Sequence, residues 1–420
     1  MHFRFISTHD PMCYWSSELV FTGIAALIWT SAELIHGDNV HDVRWTAVLR
    51  WAVLLALSIA FSRAWLRRND LRAAIANAAL VPLVFADPGN ALYLATFYAE
   101  WTALIAAYAL VGAVILWRDD YSRLRFGLLA LAAFVLATSK MQHMLLPLGL
   151  AATVFVIDRV RLARTSWRAV ALACGAAAGA YFQFVQTTRE GPMMDTIRQY
   201  NSADVVFTGL LPFADDPRAL LTEIGIDPGC AIYSGKRAWQ LPDLPERTCR
   251  GLINFTRGRE LSALLHHPSI AAKLAVYGLS ALDPWLADNI GHVEGVSFGK
   301  LPTSVPSVGR VLHASPATQY AVLALPLLAL LVMLIRPGIR AGRAGLDATA
   351  LTVVVMIATL AVTLLGDGLA DTAKQGHLVV DAALAWLVCG LIMRIPTGRD
   401  PMAQNGPGAR VEPPLPRNSA

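Results

Sequence analysis

Three short polar stretches interrupt an otherwise apolar chain, and their residues could do chemistry. FADPGNALYLATFYAEWTAL, residues 85–104, holds Asp87, Tyr93, Phe97, Tyr98 and Glu100. TSKMQH, residues 138–143, holds Lys140, Gln142 and His143. GDGLADTAKQGH, residues 366–377, holds Asp367, Asp371, Lys374 and His377. Carboxylates and amines at the ends of membrane helices are costly unless paired, hydrated or used. On one continuous helix Asp367, Asp371 and Lys374 follow i, i+4, i+7 and share a face. Tyr93, Phe97 and Glu100 would do the same if their segment were helical. A carboxylate can serve as general base for an acceptor hydroxyl. Cations aimed at a departing phosphate stabilise the charge that develops there. Together these groups suit transfer of a sugar from a lipid phosphate at a membrane surface. The plainer alternatives are charges meeting water at helix ends and aromatics forming an interfacial belt.

Composition fixes the setting. Of 420 residues, 55% are hydrophobic and 15% charged, with mean hydropathy +0.48. A soluble chain carries roughly a quarter charged residues, so an all-α polytopic membrane bundle is expected. The net charge of +5 comes from arginines in short loops, a topology signal rather than a nucleic-acid footprint. Apolar windows fall near 17–35, 45–62, 71–86, 99–117, 124–139, 142–157, 167–186, 318–335, 346–366 and 377–395, about ten spans. Glu18 and Glu33 bracket the first, and Pro82 should kink the third.

Arginines cluster after the second, fourth, sixth, eighth and tenth windows: Arg63 to Arg72, Arg118 to Arg125, Arg159 to Arg168, Arg336 to Arg343, and Arg394 with Arg399. The positive-inside rule then puts both termini in the cytoplasm. The three polar stretches all fall on the opposite, outer side. Asp38, His41 and Asp42 form a further acidic cluster in the first outer loop. The expected divisions are an N-terminal bundle (1–186), an extracytoplasmic domain (187–317), C-terminal transmembrane helices (318–395) and a disordered cytoplasmic tail (396–420).

Within 187–317, a helix over Pro217–Ile224 should end at Gly225. ELSALLHHPSIAAKLAVYGLSAL reads as two amphipathic helices split at Pro268. His266 and His267 read as a loop pair rather than a metal site. Cys230 and Cys249 are this segment's only cysteines, and outside the cytoplasm they are expected to pair.

Four motifs carry a resemblance. FADPGNALYLATFYAE, ATSKMQH, YNSADVVFTGLLPFADDPRALLTEIGI and LLGDGLADTAKQGHLVVDAAL, in that order, resemble segments of the WsfD-like bacterial membrane hexose transferases. The likeness runs from about Tyr14 to Arg394. It implies a GT-C type glycosyltransferase of the bacterial cytoplasmic membrane. Such an enzyme would move a hexose from a polyprenyl-phosphate donor to a cell-envelope glycan on the outer face. Its expected partners are membrane lipids, the lipid-linked sugar and the glycan acceptor, with no nucleic acid. Asp87, Glu100 and Asp371 are the expected catalytic carboxylates, Asp87 as base or acceptor-orienting group. Tyr93, Tyr98, Lys140, Gln142, His143, Lys374 and His377 would bind substrate, the two lysines facing the lipid phosphate. Asp367 and Asp371 could instead hold a divalent ion, since hard oxygen ligands suit Mg²⁺ or Mn²⁺. The resemblance also places YWSSELVF at the start of a later span, so a further span with an acidic outer loop is expected upstream. The alternative functions are a flippase for lipid-linked sugars, which would carry charges toward the midplane, and a non-catalytic subunit lacking that span.

Overall fold

The computed structural model describes residues 2–4, 14–36, 40–42, 44–94, 96, 98–162, 166–189, 191–282, 304–313, 315–336 and 343–394. The tail at 396–420, Phe97, and the side chains of Asp38, His41 and Asp42 lie outside the described residues. The described chain is helical apart from an antiparallel ribbon, His2–Arg4 against Val40–Asp42. All ten expected windows are helices. With the short α4 lying between two of the windows, the helices in order are α1 (Leu19–His36), α2 (Arg44–Arg67), α3 (Leu71–Leu80), α4 (Pro88–Leu94), α5 (Glu100–Leu116), α6 (Arg123–Ser139), α7 (Leu146–Leu162) and α8 (Trp167–Arg189). After residues 187–317 come α15 (Pro316–Ile335), α16 (Arg343–Asp367), the single turn α17 (Thr372–Gln375) and α18 (His377–Arg394).

Among the described residues, five helical stretches are long and apolar enough to cross a bilayer alone: Arg44–Arg67, Met141–Val160, Trp167–Arg189, Pro316–Ile335 and Ala344–Asp367. A sixth arises if α3 and α4, bent by 78°, count as one broken span. Apolar stretches in α1, α5 and α18 are shorter. The break after α3 begins where Pro82 enters a wide π-helical turn, Val81–Phe85, because proline cannot donate to the α ladder. Tyr93 and Glu100 therefore sit on different helices, α4 and α5, and do not share one helical face as expected.

Small residues set the packing of the spans. A Cβ on Gly175 of α8 would stand 2.1 Å from the Ala130 carbonyl oxygen of α6, so only glycine allows these backbones to approach so closely. At the end of the bundle where α5, α7 and α8 meet the start of α16, charges are buried together. Arg168 donates to Asp158 (2.6 Å), Asp347 (3.3 Å) and the Val114 carbonyl (2.7 Å). Arg118 adds a second contact to Asp347 at 3.3 Å. These four charged side chains tie α5, α7, α8 and α16 at that end.

Residues 191–282 form α9 (Gly191–Asp204), α10 (Pro217–Glu223), α11 (Pro245–Thr248), α12 (Arg257–His266) and α13 (Pro268–Ser280), joined by 3₁₀ turns, and α14 (Val308–His313) precedes α15. Asp216 caps α10 through the Arg218 and Ala219 N–H groups, and Gly225 follows with φ +76°. The α12–α13 break falls at His267-Pro268. Phe207, Leu221, Leu252, Leu264 and Leu274 build a separate apolar core here, to which α16 contributes Leu364. His266 and His267 both contact Glu223, at 3.3 and 2.7 Å, which joins α12 to α10. Cys230 and Cys249 are disulfide-bonded, with Cα atoms 5.9 Å apart. Closing a loop of this length stabilises by roughly 3 kcal/mol in the chain-entropy model. Cys230→Ser with Cys249→Ser should therefore lower the thermal midpoint of this unit, measured by cysteine-independent fluorescence. Equal midpoints for the variant and the oxidised parent would contradict a stabilising role.

Candidate functional site

The site begins at a buried arginine. Arg50 of α2 is 0% exposed, and an isolated guanidinium inside an apolar bundle would be prohibitive. Both of its terminal nitrogens are engaged. One nitrogen donates to the Tyr93 (2.8 Å) and Leu94 (2.5 Å) carbonyls at the end of α4. The other contacts Glu18 and reaches the Tyr98 carbonyl at 3.4 Å. Glu18 in turn accepts from Thr102, in the first turn of α5. Arg50 thus fixes the irregular link between α4 and α5, and with it the placement of Tyr98 and Glu100.

Glu100 opens α5 and is 2% exposed. Lys140, at the end of α6, donates to its Oε1 at 2.8 Å and also to the Gln375 side chain of α17. His377 at the start of α18 makes ring-nitrogen contacts with the Glu100 carbonyl (3.2 Å) and the Lys374 carbonyl (3.0 Å). Its ring lies 5.6 Å from that of Tyr93. Lys374 donates to Asp371 at 2.5 Å and sits 4.5 Å from the Tyr98 ring centroid. Burial works against the Lys374 ammonium, but Asp371 and Glu100 outweigh it and raise its pKa. His143 contacts Ser139 at 3.0 Å and lies within electrostatic reach of Lys140, His377 and Glu100. Gln142 adjoins Gly366, and its buried Oε1 has no partner among the described residues.

The third stretch is not one helix, so the expected shared face of Asp367, Asp371 and Lys374 is corrected. Gly368 has φ +59° and ends α16. A Cβ there would meet the Thr208 hydroxyl at 2.6 Å and the Asp204 carbonyl at 2.7 Å. The turn brings Asp371 and Lys374 back over the bundle end, with Asp367 in electrostatic reach of Asp371, Lys140 and Lys374.

The same turn packs on Asp204, a residue the sequence reading quoted within a motif without assigning it a role. Its carboxylate accepts from the Ala238 N–H at 2.6 Å. Burial, with Asp367 and Asp371 as like-charged neighbours, pushes it up to about 7. A carboxyl whose folded pKa exceeds its unfolded value of 3.8 stabilises the fold fully below that pH and loses the contribution as pH rises to about 7. The difference in thermal midpoint between the wild type and Asp204→Asn should accordingly shrink or change sign over this window, to the wild type's disadvantage at high pH. A pH-independent difference would contradict the assignment.

Asp87 stands apart from these contacts. It is 3% exposed, accepting from the Gly89 N–H (3.1 Å), the Ser307 hydroxyl (3.3 Å) and the Val308 N–H (2.7 Å). Both oxygens are occupied in capping α14, so the geometry does not suit the expected role of base. Nor do Asp367 and Asp371 fit a divalent ion. Among the described residues no group of three His, Cys, Asp or Glu side chains is arranged to hold a metal, and Lys374 already takes Asp371 Oδ2. The missed residues Glu18 and Arg50 did leave one signal, an arginine inside an apolar window, which demands a partner.

Apart from Asp87, the described candidate residues of the three stretches thus meet where α4, α5, α6, α16 and α18 end or begin. Residues 3–397 match the family model described as the YfdI N-terminal transmembrane domain. The chain belongs to this family. No curated protein and no solved structure matches it. The match embraces every residue of the site, from Glu18 to His377, and agrees with the apolar helices in making this YfdI-type chain a membrane protein.

Proposed function

We propose that this YfdI-type protein is a GT-C type glycosyltransferase that moves a hexose from a polyprenyl phosphate to an envelope glycan, on the outer face of a bacterial cytoplasmic membrane. The observation that carries the reading is the pair Lys140 and Lys374, each held by a carboxylate in one partly enclosed site at the bundle end. YfdI itself is a GT-C-like, glycosyltransferase-related membrane protein, which adds support. In the reaction, an acceptor hydroxyl attacks the anomeric carbon and the carbon–oxygen bond to phosphate breaks, its electrons leaving with the phosphate. Lys140 and Lys374 face that phosphate as its charge grows. Asp371, with 13% of its side chain exposed against 2% for Glu100, is the carboxylate best placed to take the hydroxyl proton. Tyr93, Tyr98, Gln142, His143 and His377 shape the donor's surroundings, and Glu100 orients Lys140.

The purified chain in liposomes is expected to transfer radiolabel from polyprenyl-phosphate glucose, galactose or mannose to an envelope glycan fraction. Absence of both transfer and donor binding across the panel would refute the reading. The proposed topology puts residues 187–317 outside and both termini inside. Reporter fusions at Ser202 and Asn69 should therefore light up in opposite compartments, and a shared compartment would overturn this orientation.

A further inference from the structure

Beside this site lies a cavity of about 410 Å³ that nothing above uses. Its lining includes Arg198 and Ser202 of α9, then Asn254, Phe255, Thr256 and Arg257 at the approach to α12. Its size is within the range that holds small ligands. One link along the chain and one through hydrogen bonds tie it to the site. Ser202 is two residues from Asp204, which feels the charges of Asp367 and Asp371. Arg257 binds the Leu365 carbonyl and, at 3.0 Å, the Gly366 carbonyl, directly before Asp367.

The chemistry of the lining selects a ligand class. Both arginines already have a carboxylate partner: Arg198 pairs with Asp195 at 2.9 Å, and Arg257 with Glu260 at 2.8 Å. The Thr256 hydroxyl accepts from the Arg259 N–H. The side chains left without a partner within the described chain are uncharged, the Ser202 hydroxyl and the Asn254 amide. Ser202 lines the cavity and is only 5% exposed. Phe255 supplies an apolar wall. A hydroxyl that both donates and accepts, an amide that does the same and an apolar wall match a pyranose, which carries hydroxyls at its edges and C–H groups on its faces.

We infer that this cavity is a saccharide subsite that holds a neutral sugar unit of the glycan acceptor, with Ser202 and Asn254 bonding its hydroxyls. The assignment of that sugar to the acceptor rests on the transferase reading; saccharide binding in the cavity does not. The test is titration of the purified full chain with methyl α-glucoside, methyl α-galactoside and methyl α-mannoside, followed by saturation-transfer NMR. Ser202→Val and Asn254→Leu serve as variants. Asn254 lies on an exposed turn, so its replacement keeps the test valid should the buried Ser202→Val unfold. At least one glycoside is expected to saturate, with affinity at least fivefold weaker in every variant that remains folded. Binding of a polyprenyl-phosphate hexose should be unchanged in Asn254→Leu. Failure of all three glycosides to bind, or unchanged affinity in Asn254→Leu, would overturn the subsite while leaving the donor reading intact. Loss of donor binding with glycoside binding retained in the wild type would count against the transferase reading alone.

Discussion

Lys140→Met is expected to cut hexosyl transfer by about 10²–10³, the cost of removing one preorganised group from a developing anion. The substitution also strands Glu100, which is 2% exposed and whose Oε2 already lacks a partner, so a loss of stability will accompany it. Pairing Lys140→Met with Glu100→Gln removes both charges and separates the two effects. The double variant should regain most of the thermal midpoint, since excising a buried pair whole is far cheaper than breaking it. Transfer should stay as low as in the single variant, because no cation has returned to meet the phosphate. Recovery of turnover along with stability would mean that Lys140 is structural and that the phosphate is met elsewhere.

The second large effect is expected at Glu18 and Arg50. Arg50→Met leaves Glu18 buried without its cation, and the cost of breaking such a pair is about 3–5 kcal/mol. Glu18→Gln with Arg50→Met should restore much of that loss. It cannot restore the bonds to the Tyr93, Leu94 and Tyr98 carbonyls, because methionine has no N–H to offer. The link between α4 and α5 should then wander, and transfer should fall at least tenfold although the protein remains folded in the membrane. A refolded double variant with full turnover would show that the clamp holds the bundle but does not position the site.

These two clusters show where the sequence was readable and where it was not. Apolar windows marked helices at all ten positions, five of them long and apolar enough to cross a bilayer alone, because hydrophobicity is a local property of the chain. Pro82, Gly225 and Pro268 marked a kink, a stop and a break for equally local reasons. The meeting of Lys140 with Glu100 and Gln375 followed from topology, since helix ends on one side of a bundle must lie near each other. The helical spacing of Asp367, Asp371 and Lys374 misled because Gly368 turns left-handed between them, and a glycine leaves that choice to tertiary packing. Glu18 lies 32 residues from Arg50 and 84 from Thr102; pairings so remote have no period to read. Asp87 carried every local mark of a functional acid, yet its bonds to Ser307 and Val308 belong to a distant segment.

The buried ions at the other end of the bundle, Asp158, Arg168, Arg118 and Asp347, have a bearing on the lipid as well as on the helices. α16 carries Asp347 near its start and Asp367 at its end, a rise of about 30 Å, which equals the hydrocarbon depth of a typical bilayer. α5 repeats the arrangement, with Glu100 at its head and Arg118 just beyond its foot. A protein with polar ballast at both interfaces cannot ride up or down in the membrane without drawing one set of charges into oil. Surrounding lipids must therefore adapt to it, thinning or stretching by the few ångströms of any mismatch. The bundle acts as a depth gauge, keeping the polar cluster at its other end level with the lipid headgroups.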